Sequence, residues 1–224
     1  IMSLNKNTQK GLYIKNFGCQ MNIYDGERMQ EMLEPLNYKP LENSYNADLI
    51  ILNTCHIREK ATEKIYSELG RIKKNIKKNG NSATIAVAGC VAQAEGKELV
   101  KRAPMIDLVF GPLTYHRLPE ILQGFDKSNT KERKAIVDIE PPINDKFNVL
   151  PKRTSDKNNV SALLSVQEGC DKFCSFCVVP YTRGIETSRS YEQIIDESKQ
   201  LISSGVKEII LLGQNVNAWT GKNS

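Results

Sequence analysis

Apolar residues along this chain come in two alternating patterns, short unbroken runs and longer stretches in which they recur every three or four positions. "GLYIKNFGC" (11–19) reads as a short strand and "YDGERMQEMLEPLN" (24–37) as a helix. "ADLIILNTC" (47–55) is a buried strand, with Leu49, Ile50, Ile51 and Leu52 in succession. Ala61, Ile65, Leu69, Ile72 and Ile76 then form one stripe on a helix over 58–78. "ATIAVAGC" (83–90) and "DLVFG" (107–111) are further strands, each followed by a helix, near 92–102 and over 115–124. Strands apolar on both faces and alternating with helices predict an α/β fold, an open parallel sheet with helices on both faces.

The pattern changes at 126–159, where charged and proline-containing segments surround one weak strand signal, "KAIVDI". This stretch reads as a linker between a domain over 1–125 and a second part over 160–224, with the boundary near 155. A strand (160–169), a helix (190–205, N-cap Ser190, stop at Gly205) and a strand (206–219) follow. One such unit cannot cover its own sheet, and "EIILL" would remain an apolar edge. The chain is therefore expected to be the front portion of something longer, a truncated form.

Composition narrows the class. With 40% hydrophobic and 25% charged residues in 224, the chain resembles a soluble globular protein. No apolar run approaches the roughly 18 residues of a membrane span, and the first residues lack a secretory apolar core. The expected compartment is the reducing cytoplasm, where six cysteines point to metal or redox chemistry rather than disulfides. A net charge of +5, bunched in "RIKKNIKK" (71–78), "KERK" (131–134) and "PKR" (151–153), permits a polyanionic partner. The same runs also suit a solvated helix face and surface loops.

Three cysteines, Cys170, Cys174 and Cys177, crowd into "GCDKFCSFC" directly after a strand. Thiolates at such short spacings hold iron–sulfur clusters, and a cubane with three protein ligands keeps one iron open. A zinc site is the alternative, but it wants a fourth ligand, and the histidines are His56 and His116. The remaining thiols, Cys19, Cys55 and Cys90, each end a predicted strand, separated by 35 and 34 residues. In an open parallel sheet those ends line the ligand crevice. Three buried structural cysteines are the competing reading.

These motifs resemble a known family. "GCDKFCSFC" is similar to the CxxxCxΦC signature of radical S-adenosylmethionine (SAM) enzymes, placed at the start of a partial (β/α) barrel. "FGCQMNIYDGERM", "LNTCHIREKA" and "AGCVAQAEG" resemble the three cysteine motifs of the methylthiotransferase N-terminal domain. "SVQEGCDKFCSFCVVPYTRG" and "LLGQNVNAW" are similar to the barrel start of the same family. The resemblance covers 11–220. It implies two 4Fe–4S clusters, one on Cys170, Cys174 and Cys177 that binds SAM, with Phe176 beside the cofactor. The other, on Cys19, Cys55 and Cys90, would deliver sulfur.

The implied reaction is radical methylthiolation of carbon 2 of N6-isopentenyladenosine beside the tRNA anticodon. It would need a one-electron donor such as a flavodoxin or ferredoxin, no membrane, and no protein general base. Sister methylthiotransferases act instead on threonylcarbamoyl-adenosine in tRNA or on a ribosomal protein. A non-catalytic iron–sulfur or RNA-binding fragment is the remaining alternative. Family members continue through more of the barrel to a C-terminal RNA-binding domain.

Overall fold

The computed structural model describes residues 9–56, 61–80, 82–125, 134–142, 146–153 and 160–221. Six parallel strands form the main sheet: β1 (Lys10–Asn16), β2 (Tyr38–Pro40), β3 (Leu49–Thr54), β4 (Thr84–Gly89), β5 (Leu108–Phe110) and β6 (Ile136–Asp138). Their order is β2-β1-β3-β4-β5-β6. The chain leaves β1 for β2 on one side and returns to β3 on the other, so the sheet's switch point lies between β1 and β3.

The central strand explains the layers. Ile50 and Leu52 of β3 face one core, with Ile65, Leu69 and Ile72 of α2 (Ala61–Asn79) and Leu99 of α4 (Lys97–Arg102). Leu49 and Ile51 face the other, with Met29, Met32 and Leu33 of α1 (Gln20–Leu33) and Leu118 of α5 (Leu118–Gly124). All four strand side chains are fully buried, each contributing roughly 1.5–3 kcal/mol of transfer free energy. The apolar run is thus the imprint of helices on both faces.

Local departures have local causes. The helix expected near 92–102 is two, α3 (Cys90–Glu95) and α4, broken at Gly96, whose φ is +49°. The helix expected from 24 already starts at Gln20, immediately after Cys19. The "KAIVDI" signal is the sixth strand, parallel to β5. The start expected for α2 at 58 lies outside the described residues.

The second part pairs β7 (Ser161–Ser165) in parallel with β10 (Glu208–Leu212), joined through α7 (Tyr191–Ser203). The Ser190 hydroxyl accepts the Gln193 amide at 3.3 Å, as its N-cap position requires. A short antiparallel pair, β8 (Gln167–Glu168) and β9 (Thr187–Ser188), closes the cysteine loop at its base. Leu211 on the edge strand β10 is 50% exposed. Met21, Tyr24, Phe147 and Leu212 form a small apolar cluster joining the two parts.

Candidate functional site

Cys19 follows β1, Cys55 follows β3, and Cys90 follows β4 as the first residue of α3. Cys19 and Cys55 therefore flank the switch point, where open parallel sheets bind ligands. The register aligns Thr54 with Gly89, so Cys55 and Cys90 are the next residues out on adjacent strands. A β-carbon on Gly18 would lie 2.2 Å from Cβ and 2.7 Å from Sγ of Cys55, at a φ of +100°. Only glycine lets the turn before Cys19 press this closely on the second cysteine.

A buried amide network pins these turns. The Cys19 thiol donates to Asn22 Oδ1 at 3.5 Å, and Asn22 Nδ2 donates to the Thr54 carbonyl at 2.8 Å. Asn53 Nδ2 donates to the Asn22 carbonyl at 2.6 Å and to Asn16 Oδ1 at 2.9 Å. The neighbouring Cys55 side chain, then Asn22, Arg183 and the Met21 amide, bring the Cys19 thiol down to about 5 against the opposing effect of burial. The direction of this shift favours the thiolate, the form that ligates metal.

Beneath this site lies a ring of four charges, each side chain only 2–3% exposed. Arg183, at the end of α6 (Val179–Arg183), donates to Asp25 at 2.7 Å and to Glu168 at 2.6 Å. Lys146 stands 2.6 Å from Glu168 and 3.7 Å from Asp25. Two cations and two carboxylates balance, and removing one member would cost about 3–5 kcal/mol by stranding a buried charge. A cavity of about 480 Å³ opens beside the ring, walled by Leu113, Pro141, Pro142, Phe147, Pro180 and Ile185.

The second cysteine set occupies the loop between β8 and α6. Its base is locked. Gly169 has a φ of +79°, and a β-carbon there would sit 2.0 Å from the Ile185 carbonyl oxygen. The Gly169 amide donates to Gln214 Oε1 at 2.6 Å, and Gln167 Nε2 donates to the Gly169 carbonyl at 2.8 Å. The Cys170 amide donates to the Gly184 carbonyl at 3.2 Å, and the Glu186 amide to Asp171 Oδ1 at 2.8 Å. The tip is open: Cys170 and Cys177 are half-buried, Cys174 is exposed, and Phe176 is 91% exposed. Phe173 takes a left-handed φ of +46° and meets the Tyr181 ring edge-on at 6.3 Å.

Among the described residues, no three of His, Cys, Asp and Glu converge to hold a single ion. The ligands of a cubane bind different irons, so a cluster needs three thiolates around a larger body rather than around a point. Both sets meet that need in donor type and number. Asn22, Asp25, Lys146, Glu168, Arg183 and Gln214 are site residues that periodicity alone misses. For two of them a signal was available: Asn22 and Asp25 are polar, three apart, on a helix face that should be apolar.

Two family models match the chain in tandem. Residues 11–111 match "Uncharacterized protein family UPF0004" and span Cys19, Cys55 and Cys90. Residues 164–223 match the Radical SAM superfamily and span the other three. A protein of Sphingopyxis alaskensis called tRNA-2-methylthio-N(6)-dimethylallyladenosine synthase is 53% identical over 99% of this chain and 48% of its own length. Proteins of that name from Bartonella quintana and Rickettsia bellii are each 56% identical, over 95% and 96% of this chain and 46% and 48% of theirs. The chain thus spans about half the length of the curated relatives it matches.

In fold, it is similar to the radical SAM methyltransferase TsrM of Kitasatospora setae, with a TM-score of 0.57 over 94% of this chain and 49% of that one, at 15% identity. That solved structure carries tryptophan and a SAM analog, and another of the same enzyme carries cobalamin and a [4Fe-4S] cluster. The tandem of domains, the identity along nearly the whole chain and the two sets of three cysteines agree: the chain belongs to the radical SAM methylthiotransferase family.

Proposed function

We propose that this chain is the N-terminal half of an enzyme that methylthiolates carbon 2 of N6-isopentenyladenosine beside the anticodon of tRNA. One observation carries the reading: each set of three thiols lies on turns tightened by a glycine, in a chain more than half identical to synthases of that name. Cys170, Cys174 and Cys177 hold one 4Fe–4S cluster. Cys19, Cys55 and Cys90 would hold the other, which would serve as the sulfur source.

Held by Cys170, Cys174 and Cys177, with SAM bound and an electron from a flavodoxin- or ferredoxin-like donor, the first cluster would supply the reductive cleavage of SAM that generates the radical. Aromatic C–H functionalisation is beyond side-chain acid–base chemistry, so the protein's part is placement. Gln214 and Gln167 fix the start of the cysteine loop, and the exposed Phe176 ring is free to lie against bound SAM. Asn22, Asn53 and Gly18 hold the Cys19 and Cys55 turns together. Among the described residues, no helix is long and apolar enough to cross a membrane.

The test is a methylthiolation assay with the full-length protein, anaerobically, using SAM, a reductant and three substrates: tRNA bearing isopentenyladenosine, tRNA bearing threonylcarbamoyl-adenosine, and the ribosomal protein. Mass spectrometry of digested product should show the methylthio group on isopentenyladenosine alone. Product on either rival substrate, with none on isopentenyladenosine, would contradict the substrate assignment.

A further inference from the structure

One side chain touches the surroundings of both cysteine sets. Arg183 Nη2 donates to Asn22 Oδ1 at 3.1 Å, the same oxygen that accepts the Cys19 thiol. Its Nη1 is bonded to Glu168, two residues before Cys170, and the carbonyl of the next residue, Gly184, accepts the Cys170 amide. Asn22 in turn donates to the Thr54 carbonyl, one residue before Cys55. A path of hydrogen bonds and short chain segments that involves no thiol proton thus runs from Cys55 through Asn22 and Arg183 to Cys170.

We propose that Arg183 is a positioning residue for the sulfur-donating site. It clamps the N-terminal domain onto the radical SAM loop and sets the electrostatic potential at the N-terminal thiols. The proposal rests on the reading that Cys19, Cys55 and Cys90 hold a cluster. Cluster potentials respond to nearby charge and to burial. Arg183, Asp25, Glu168 and Lys146 are nearly fully enclosed, so solvent screens their fields little. Each member of the ring should then move the potential in the direction of its own charge. A plain structural clamp would not give opposite signs for its cationic and anionic members.

The experiment uses the full-length protein with Cys170, Cys174 and Cys177 replaced by alanine, so that the N-terminal site alone carries iron. Iron content and an EPR-monitored redox titration are measured for this parent and for Arg183→Gln, Arg183→Lys, Glu168→Gln and Arg183→Gln/Glu168→Gln. Removing the guanidinium should shift the midpoint to more negative values at unchanged iron. Glu168→Gln should shift it to more positive values, and the charge-balanced double variant and Arg183→Lys should return near the parent. If Arg183→Gln loses its fold, the Glu168→Gln shift and the Arg183→Lys value still decide the matter. Unchanged midpoints at full iron, or shifts of the same sign for Arg183→Gln and Glu168→Gln, would overturn the proposal. A parent without iron would instead overturn the cluster reading beneath it.

Discussion

In the full-length protein, Cys170→Ala should abolish formation of 5′-deoxyadenosine from SAM while the N-terminal site keeps its iron. The thiol is lost from a loop whose base is independently held. Gly169, Gln167, Gln214 and the β8–β9 pair fix the loop through backbone and amide contacts that do not involve Sγ of Cys170. The fold around the site should therefore survive. Replacing residues that merely orient a metal ligand typically costs 10–100-fold, so losing a ligand should reduce cleavage to less than about one hundredth. Cleavage is followed by chromatography of deoxyadenosine under anaerobic reduction. Retained cleavage would remove Cys170 from the ligand set.

Cys55→Ala should give the complementary result. Deoxyadenosine formation continues, because the variant leaves the Cys170–Cys177 loop intact, and methylthio product falls below detection. Cys55 is buried at the carboxyl end of the central strand, packed against the Gly18 turn. The change removes one sulfur from a position that an alanine methyl can occupy, so a small stability loss is the only expected structural cost. Methylthiolated nucleoside from Cys55→Ala would show that the N-terminal thiols are not the sulfur-donating site. Together the two variants separate radical generation from sulfur transfer.

The sequence made the sheet legible because its strands are covered on both faces. Leu49–Leu52 and Ala86–Ala88 read as unbroken apolar runs for the same reason that they sit between two helix layers. The cysteines were legible because three of them crowd into eight positions and the other three each close a strand. The edge strand Tyr38–Pro40 was not legible: three residues with two exposed carry no run. Nor was the β8–β9 pair, which is two residues long on each side.

The Asp25–Lys146–Glu168–Arg183 ring was hidden for a different reason. Its members come from α1, the stretch after β6, β8 and α6, far apart in sequence, and all but Asp25, which interrupts the apolar face of its helix, look like ordinary surface charges in their own segments. Only the docking of the two parts buries them. Charge composition likewise gave no hint, since the ring is neutral.

The measurement that tests the central claim most directly is iron and acid-labile sulfide per chain after anaerobic reconstitution. Two working sets of three thiols should bind about eight irons, two cubanes of four, falling to about four in either Cys170→Ala or Cys55→Ala. Iron near zero in the parent chain, or a count unchanged by both substitutions, would contradict the account.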